Sequence, residues 1–161
     1  MKIKIRLNGK DLLVDSPPET RLVDLLKNSA KIQSLRTSCY KGICRGCSIF
    51  FNGDLVPSCL IPAFQARNAE IITFEGLSKL EEINDILIGF EDSGYKPCDF
   101  CRPGKIMTIQ SILESYSNPE EYQILEAFEG INCSCTDNST LLESVKRSAY
   151  YRRKRRHARN I

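Results

Sequence analysis

The stretch Cys39-Tyr40-Lys41-Gly42-Ile43-Cys44-Arg45-Gly46-Cys47 holds three of the eight cysteines of this sequence within nine residues. Four residues separate the first two cysteines, two separate the next two, and eleven more lead to Cys59. Gly42 and Gly46 lie between the cysteines, and glycine gives a backbone the freedom to turn tightly around a small group. The sequence therefore predicts a compact loop that presents several thiolates to one centre.

The spacing C-x4-C-x2-C-x11-C of Cys39, Cys44, Cys47 and Cys59 is typical of a plant-type [2Fe-2S] cluster. A zinc ribbon instead prefers two C-x2-C pairs that are farther apart. We expect amide groups of the loop to point at the sulfurs, because such hydrogen bonds stabilise the reduced cluster. Four buried structural thiols are a weaker alternative, since the cysteines share their loop with basic residues and glycines.

Four later cysteines form a second set, in which Cys98-x2-Cys101 is followed after 31 residues by Cys133-x-Cys135. Each pair lies just before a predicted helix. The positive ends of the two helix dipoles would favour an anionic group between them. Spacing alone leaves two alternatives open here, a second iron–sulfur cluster and structural zinc.

The composition excludes several classes of chemistry. With 161 residues, 42% hydrophobic and 27% charged, the chain can fold around a core. The single histidine, His157, lies in a basic segment, so histidine-dependent triads, histidine-based zinc catalysis and Rieske centres are excluded by number. No glycine-rich nucleotide loop, secretory signal or membrane span is found. We expect a cytoplasmic location, where reducing conditions favour metal-bound thiolates over disulfides.

The charged residues are unevenly distributed. Residues 152–159 hold six Lys or Arg, which leaves 17 basic against 20 acidic residues elsewhere. A mildly acidic body gives no general attraction to nucleic acid. The basic segment is therefore predicted to be a solvated helix end or a contact for a partner's acidic patch. Glu81, Glu82 and Asp85 are predicted to be solvated surface rather than catalytic carboxylates.

The N-terminal half has the pattern of a small mixed α+β unit ending near Gly76. Residues 2–7 alternate between charged and apolar, and Asn8-Gly9 suits a type I′ turn, which predicts a hairpin over residues 2–15. Thr20 is predicted to cap a helix. Two further strands are predicted at residues 48–51 and 71–75.

Beyond Gly76 the apolar period changes from 2 to 3.6, which predicts a second domain of about four short helices over residues 77–161. Asn118 is predicted to cap the third helix, with Pro119 at its first position. The predicted apolar faces are Ile83, Ile86, Leu87 and Phe90; Ile106, Ile109, Leu113 and Tyr116; Tyr122, Leu125 and Phe128; and Leu141, Leu142, Val145 and Ala149.

With both cysteine sets in this order, the chain resembles the two-cluster iron–sulfur subunit of the molybdenum hydroxylases, the family of xanthine dehydrogenase, aldehyde oxidase and carbon monoxide dehydrogenase small subunits. The resemblance covers nearly the whole length. It implies an N-terminal β-grasp ferredoxin-like lobe over residues 1–76 and a four-helix-bundle lobe over residues 77–161, each with one [2Fe-2S] cluster. The residues that carry it are Cys39 to Cys47, Pro57-Ser58-Cys59-Leu60, Cys98-Asp99-Phe100-Cys101-Arg102-Pro103-Gly104 and Cys133-Ser134-Cys135-Thr136.

By this resemblance, electrons pass from a molybdopterin site to the helical-lobe cluster, then to the ferredoxin-lobe cluster, then to FAD. Molybdenum and FAD would lie on a large and a medium partner subunit, and no substrate site is expected on this chain. Pro97 stands where the family usually has a glutamine associated with the pterin, and Asp137-Asn138 replaces a Gly-Tyr pair. Proline has neither that side chain nor a backbone donor, so the pterin contact does not carry over.

A second hypothesis is a scaffold protein with zinc at one or both cysteine sets and nucleic acid on the basic segment. Metal content distinguishes the two hypotheses. A brown protein with about four irons per chain supports the first, and a colourless zinc protein supports the second.

Overall fold

The computed structural model describes residues 1–131 and 133–159, and it has a mixed α and β fold. Five strands form one sheet in the order β2-β1-β5-β3-β4, in which β1 and β5 are parallel and the other neighbouring strands are antiparallel. The strands are β1 Lys2–Leu7, β2 Lys10–Asp15, β3 Ser48–Phe51, β4 Asp54–Pro57 and β5 Glu70–Ile72. The described residues also form six α-helices, namely α1 Leu22–Asn28, α2 Phe74–Leu77, α3 Glu82–Ser93, α4 Arg102–Ser115, α5 Glu121–Ala127 and α6 Asn138–Arg159.

The first hairpin follows its sequence pattern. Ile3, Ile5 and Leu7 alternate in β1 with exposed charged residues, and all three are buried. Asn8 and Gly9 have φ angles of 50° and 80°, as a type I′ turn requires. The prediction of a hairpin over residues 2–15 is confirmed.

Two local predictions in this half are wrong. Helix α1 begins at Leu22, after Arg21, and neither Arg21 nor any other residue caps it with a side-chain hydrogen bond. Strand β5 ends at Ile72 rather than reaching Glu75, and Phe74 begins α2. Beyond the strand, the Glu75 carboxylate accepts hydrogen bonds from the backbone amides of Gln33 and Ser34.

The four predicted helices correspond to α3, α4, α5 and α6, but the prediction for α5 is wrong in register. Its N-cap is Glu120, which forms a capping box with Gln123, rather than Asn118. Tyr122 and Leu125 are 61% and 43% exposed, while Ile124 is fully buried. A seven-residue helix offers only two turns, so a shifted start changes most of its apolar face, although Phe128 of the predicted face is buried as expected.

Strand β3 joins the two apolar cores of the chain. Ile49 packs in a core with the side chains of α1, and the next residue, Phe50, packs in a core with residues of α3, α4, α5 and α6. Successive residues of a strand point to opposite faces of a sheet. One face of the sheet therefore supports α1, and the other supports the helical half.

A buried ion pair ties the long helix α6 to α3. Arg152 is 2% exposed and Asp85 is 3% exposed, and the Arg152 Nε lies 2.6 Å from a carboxylate oxygen of Asp85. Arg155 donates to the same carboxylate, Arg153 to the Ser117 carbonyl, and Arg159 pairs with Glu81. The prediction of a solvated position is therefore wrong for Asp85, Arg152 and Arg155, whereas Arg153, Lys154, Arg156 and Arg159 are exposed. No helix in the described ranges is both long and apolar enough to cross a membrane.

Candidate metal centres

The loop from Cys39 to Cys47 turns through three residues with a left-handed backbone. Tyr40, Gly42 and Arg45 have φ angles of 52°, 75° and 53°. Gly42 thus has the conformational role predicted for it, whereas Gly46 does not. A Cβ on Gly46 would lie 2.7 Å from the carbonyl oxygen of Arg36, so glycine is needed there for close backbone approach.

Hydrogen bonds hold this loop to the sheet and to α1. The Arg36 amide donates to the Gly46 carbonyl over 2.8 Å, and Arg21 Nη1 donates to the Tyr40 carbonyl over 2.9 Å. The Ser58 hydroxyl donates to the Cys47 carbonyl over 2.7 Å, which fixes Cys59 beside Cys47. Each anchor is a backbone carbonyl of the loop, so the loop is held without using its thiols.

Two thiols of the first set, Cys44 and Cys47, have pKa values shifted in opposite directions. Burial acts to raise the pKa of Cys44, but hydrogen bonds from Ser38 and from the backbone outweigh it and lower that pKa to about 6. Burial raises the pKa of Cys47 to about 11.

Backbone amides approach the first sulfur as predicted. The amides of Lys41 and Cys44 donate to the Sγ of Cys39 over 3.3 and 3.4 Å. These donors stabilise negative charge on the sulfur.

The second set converges more tightly. The Sγ atoms of Cys98, Cys101, Cys133 and Cys135 all lie within 4.8 Å of one another. The Cys98–Cys101, Cys98–Cys133 and Cys101–Cys135 sulfur distances are 3.5, 3.8 and 3.3 Å. Cys101 is the N-cap of α4, and Cys133 and Cys135 precede α6, as predicted.

The ionisation of this second set is strongly perturbed. Burial raises the pKa of Cys101. Burial also opposes ionisation of Cys135, but the Cys98 amide and the neighbouring thiols outweigh it and lower the pKa of Cys135 to about 6. Lys105 contributes to that lowering, and its own pKa is raised by Tyr95 and by the nearby sulfurs against the effect of burial. The shifts are thus opposed within the set, with the pKa of Cys135 lowered and that of Cys101 raised.

The two cysteine sets face each other across a small cavity of about 100 Å³. Cys44 lines it from the first loop, and Cys101 and Cys133 line it from the second set. Gly104, in the first turn of α4, allows this approach, because a Cβ there would lie 2.9 Å from the Arg45 carbonyl oxygen. Two thiolate groups on different halves of the chain therefore lie next to each other.

These donors fit metal centres. The second set offers four sulfur ligands, and thiolates that lie this close to one another require a positively charged core between them. By geometry alone it would suit either one tetrahedral ion or a cluster. The first set offers four free thiols, three on one loop and a fourth at Cys59.

Lys105 was missed from the sequence, whereas Asp137 and Pro97 had been identified as departures from the family pattern. Lys105 follows Cys101 by four residues, a helical spacing that places both on one face of α4 and could have identified it. Asp137, a departure from the family pattern, accepts hydrogen bonds from the Ser139 hydroxyl and the Thr140 amide at the start of α6. Pro97 is buried beside Cys98.

Comparisons with known proteins identify the chemistry of the second set. A family model described as a [2Fe-2S] binding domain matches residues 73–146, which include all four of these cysteines. This family match favours a cluster over zinc at that set. The hypothesis of a zinc-binding scaffold is not favoured.

Known relatives align along most of the chain. A nicotinate dehydrogenase small FeS subunit of Eubacterium barkeri is 34% identical over 83% of this chain and 85% of its own length. A probable xanthine dehydrogenase subunit of Bacillus subtilis is 32% identical over 91% of this chain and 84% of its own. The solved quinoline 2-oxidoreductase from Pseudomonas putida 86 has a chain that superposes with a TM-score of 0.86 at 31% identity, covering 97% of this chain and 96% of that one. The chain therefore belongs to the iron–sulfur small-subunit family of the molybdenum hydroxylases and is an electron-transfer subunit of an oxidoreductase complex.

Proposed function

We propose that this chain holds one [2Fe-2S] cluster at Cys39, Cys44, Cys47 and Cys59 and a second at Cys98, Cys101, Cys133 and Cys135, and that it conducts single electrons between two partner subunits. The observation that carries the proposal is the cavity on which both cysteine sets border. Adjacent redox centres exchange electrons without a diffusing carrier. An isolated metal site with only a structural role would have no need of that proximity.

The proposal assigns each cluster to one domain. Residues 1–76 would form a β-grasp ferredoxin-like domain, and residues 77–161 a four-helix-bundle domain. The five-stranded sheet with α1 supports the first assignment, and the shared core of α3, α4, α5 and α6 supports the second.

The residues of this chain bind the clusters, exclude water and set the charge around them. When bound, each cluster supplies a one-electron couple. Cys47 and Cys59 are 2% exposed and Cys101 is 7% exposed, so both sets are shielded from solvent on one side. Amide donors at Cys39 and Cys135 stabilise the extra charge of the reduced state. Gly42 and Gly46 let the first loop close around its cluster.

The proposed partners are a molybdenum-binding large subunit and an FAD-binding medium subunit. Electrons would enter at the second cluster from the molybdopterin, pass to the first, and leave to FAD. The names of the relatives support an assembly of several subunits, since each describes one subunit of a dehydrogenase. Reducing conditions in the cytoplasm would keep the eight cysteines available for iron.

The proposal is tested by metal analysis and electron paramagnetic resonance of the chain, prepared anaerobically in complex with its partner subunits. We expect about four irons per chain and two distinct signals after reduction. Cys59→Ser should remove or alter one signal, and Cys135→Ser the other. Ser134→Ala, an exposed change between two cysteines, should leave both. Zinc in place of iron, or one signal that responds to both cysteine variants, would contradict the proposal.

A further inference from the structure

A single lysine is buried against the second cysteine set. Lys105 is 3% exposed, although its side chain carries a positive charge. Its Nζ donates to the Thr136 hydroxyl over 2.9 Å and lies 3.7 Å from the Sγ of Cys135. The Tyr95 ring covers the ammonium at 5.4 Å from the ring centroid.

The charge of this lysine has no carboxylate partner. Among the described residues, no Asp or Glu oxygen lies within ion-pair distance of Lys105. Lys105 and Asp137 line a second cavity beside this cysteine set, but the Asp137 carboxylate accepts hydrogen bonds from Ser139 and Thr140 at the start of α6. A buried ammonium is costly unless an opposite charge accompanies it. The negative groups beside its ammonium are the thiolate sulfurs of the second set.

We propose that Lys105 is the internal counter-ion of the second [2Fe-2S] cluster and raises its reduction potential. This inference rests on the proposed function, because it requires a cluster at the second set. Reduction adds one negative charge to the cluster, and a fixed positive charge nearby stabilises the reduced form. Tyr95 and Thr136 keep the ammonium in place.

Burial distinguishes Lys105 from the cations near the first set. Lys41 lies in the first loop but is exposed to solvent. Water and salt screen an exposed charge far more than a buried one. The effect of Lys105 should therefore persist at high ionic strength, whereas any effect of Lys41 should fade.

The test is a redox titration of both clusters, followed by electron paramagnetic resonance, in the complete complex. Lys105→Met keeps the length and apolar stem of the side chain and removes its charge. We expect the reduction equilibrium of the second cluster to become at least tenfold less favourable, a fall of about 59 mV for one electron. The first cluster should change less than twofold. The shift should be equal at low and high salt.

Lys41→Met is the matched control, and it should leave the potential of the second cluster unchanged. A change of less than twofold in the second cluster of Lys105→Met would overturn the inference. If that variant fails to retain the second cluster, Lys105→Arg decides the question. Recovery of the signal with a restored charge supports the counter-ion, and loss in both variants overturns it. Absence of a second signal in the unaltered complex would refute the proposed function instead.

Discussion

Asparagine at position 85 would remove the charge that ties α6 to α3. The Asp85 carboxylate accepts from Arg152 Nε over 2.6 Å and from Arg155 Nη2 over 2.8 Å. In Asp85→Asn, Arg152 would keep its bonds to the Glu82 carbonyl and the Gln110 side chain, at 2.9 and 2.8 Å, but would be a buried cation without a counter-ion. Breaking a buried pair in this way costs about 3–5 kcal/mol.

Urea unfolding followed by the helical circular dichroism signal measures this cost. With a slope of about 2 kcal/mol per molar urea, the midpoint should fall by about 1.5–2.5 M. Glu143→Gln is the matched control, because it neutralises a carboxylate in an exposed pair with Arg147 and should cost about 0–1 kcal/mol. Equal midpoints for the two variants would refute the reasoning. Since Cys133 and Cys135 precede α6, the second paramagnetic signal should also be lost at lower urea than the first.

Two further changes test, respectively, a contact within the first half and the junction between the halves. Glu75 has a pKa below its ordinary value of 4.5, because hydrogen bonds from Ser34 and Thr73 outweigh the opposing effect of burial. Its contribution to stability is present above that ordinary value and is lost as the pH falls through the lowered pKa. Glu75→Gln should therefore lower the free energy of unfolding by about 1.5–3 kcal/mol at neutral pH. The difference from the unaltered chain should shrink in acid. A difference in urea midpoints that does not depend on pH would contradict this. Gly104→Val should push α4 away from the Arg45 carbonyl, cost about 1–3 kcal/mol, and slow flavin reduction in single-turnover kinetics while both cluster signals persist. The exposed change Ser115→Val at the other end of α4 should leave that rate unchanged.

The cysteine sets were predictable because ligand spacing is a local property. The sequence also predicted the first hairpin, since the alternation of charged and apolar residues and the Asn-Gly turn are both local signals that span a few residues. The convergence of Cys98 and Cys101 with Cys133 and Cys135 follows from placing each pair before a helix. Spacing alone indicated a [2Fe-2S] cluster for the first set, whereas the choice between iron and zinc at the second set needed the resemblance, because four sulfurs suit both metals.

The errors concern contacts between distant segments. Asp85 and Arg152 are 67 residues apart, and their pairing depends on which faces of α3 and α6 meet. A charge pattern alone gives no such information, so Asp85 was assigned to solvent, and Arg152 to a solvated helix end or a contact with a partner's acidic patch. The wrong face of α5 has a local origin, since Glu120 competes with Asn118 as the cap. The strand predicted to reach Glu75 is wrong for a similar reason, since the carboxylate of Glu75 binds the backbone of Ser34, more than 40 residues earlier in the chain.

The ion pair between Asp85 and Arg152 also has a consequence for the order in which the two cysteine sets are completed during synthesis. Chains fold from the N-terminus as they leave the ribosome. If the proposed cluster sites are correct, the sheet and the first cysteine set are complete once β5 has been made, and the first cluster has its full set of ligands at that stage. The second cysteine set is held in place only later, because the helix that follows Cys135 pairs with α3 through Arg152. We therefore expect the cluster at the first set to be inserted before the cluster at the second, which should follow only after residue 152 has been made.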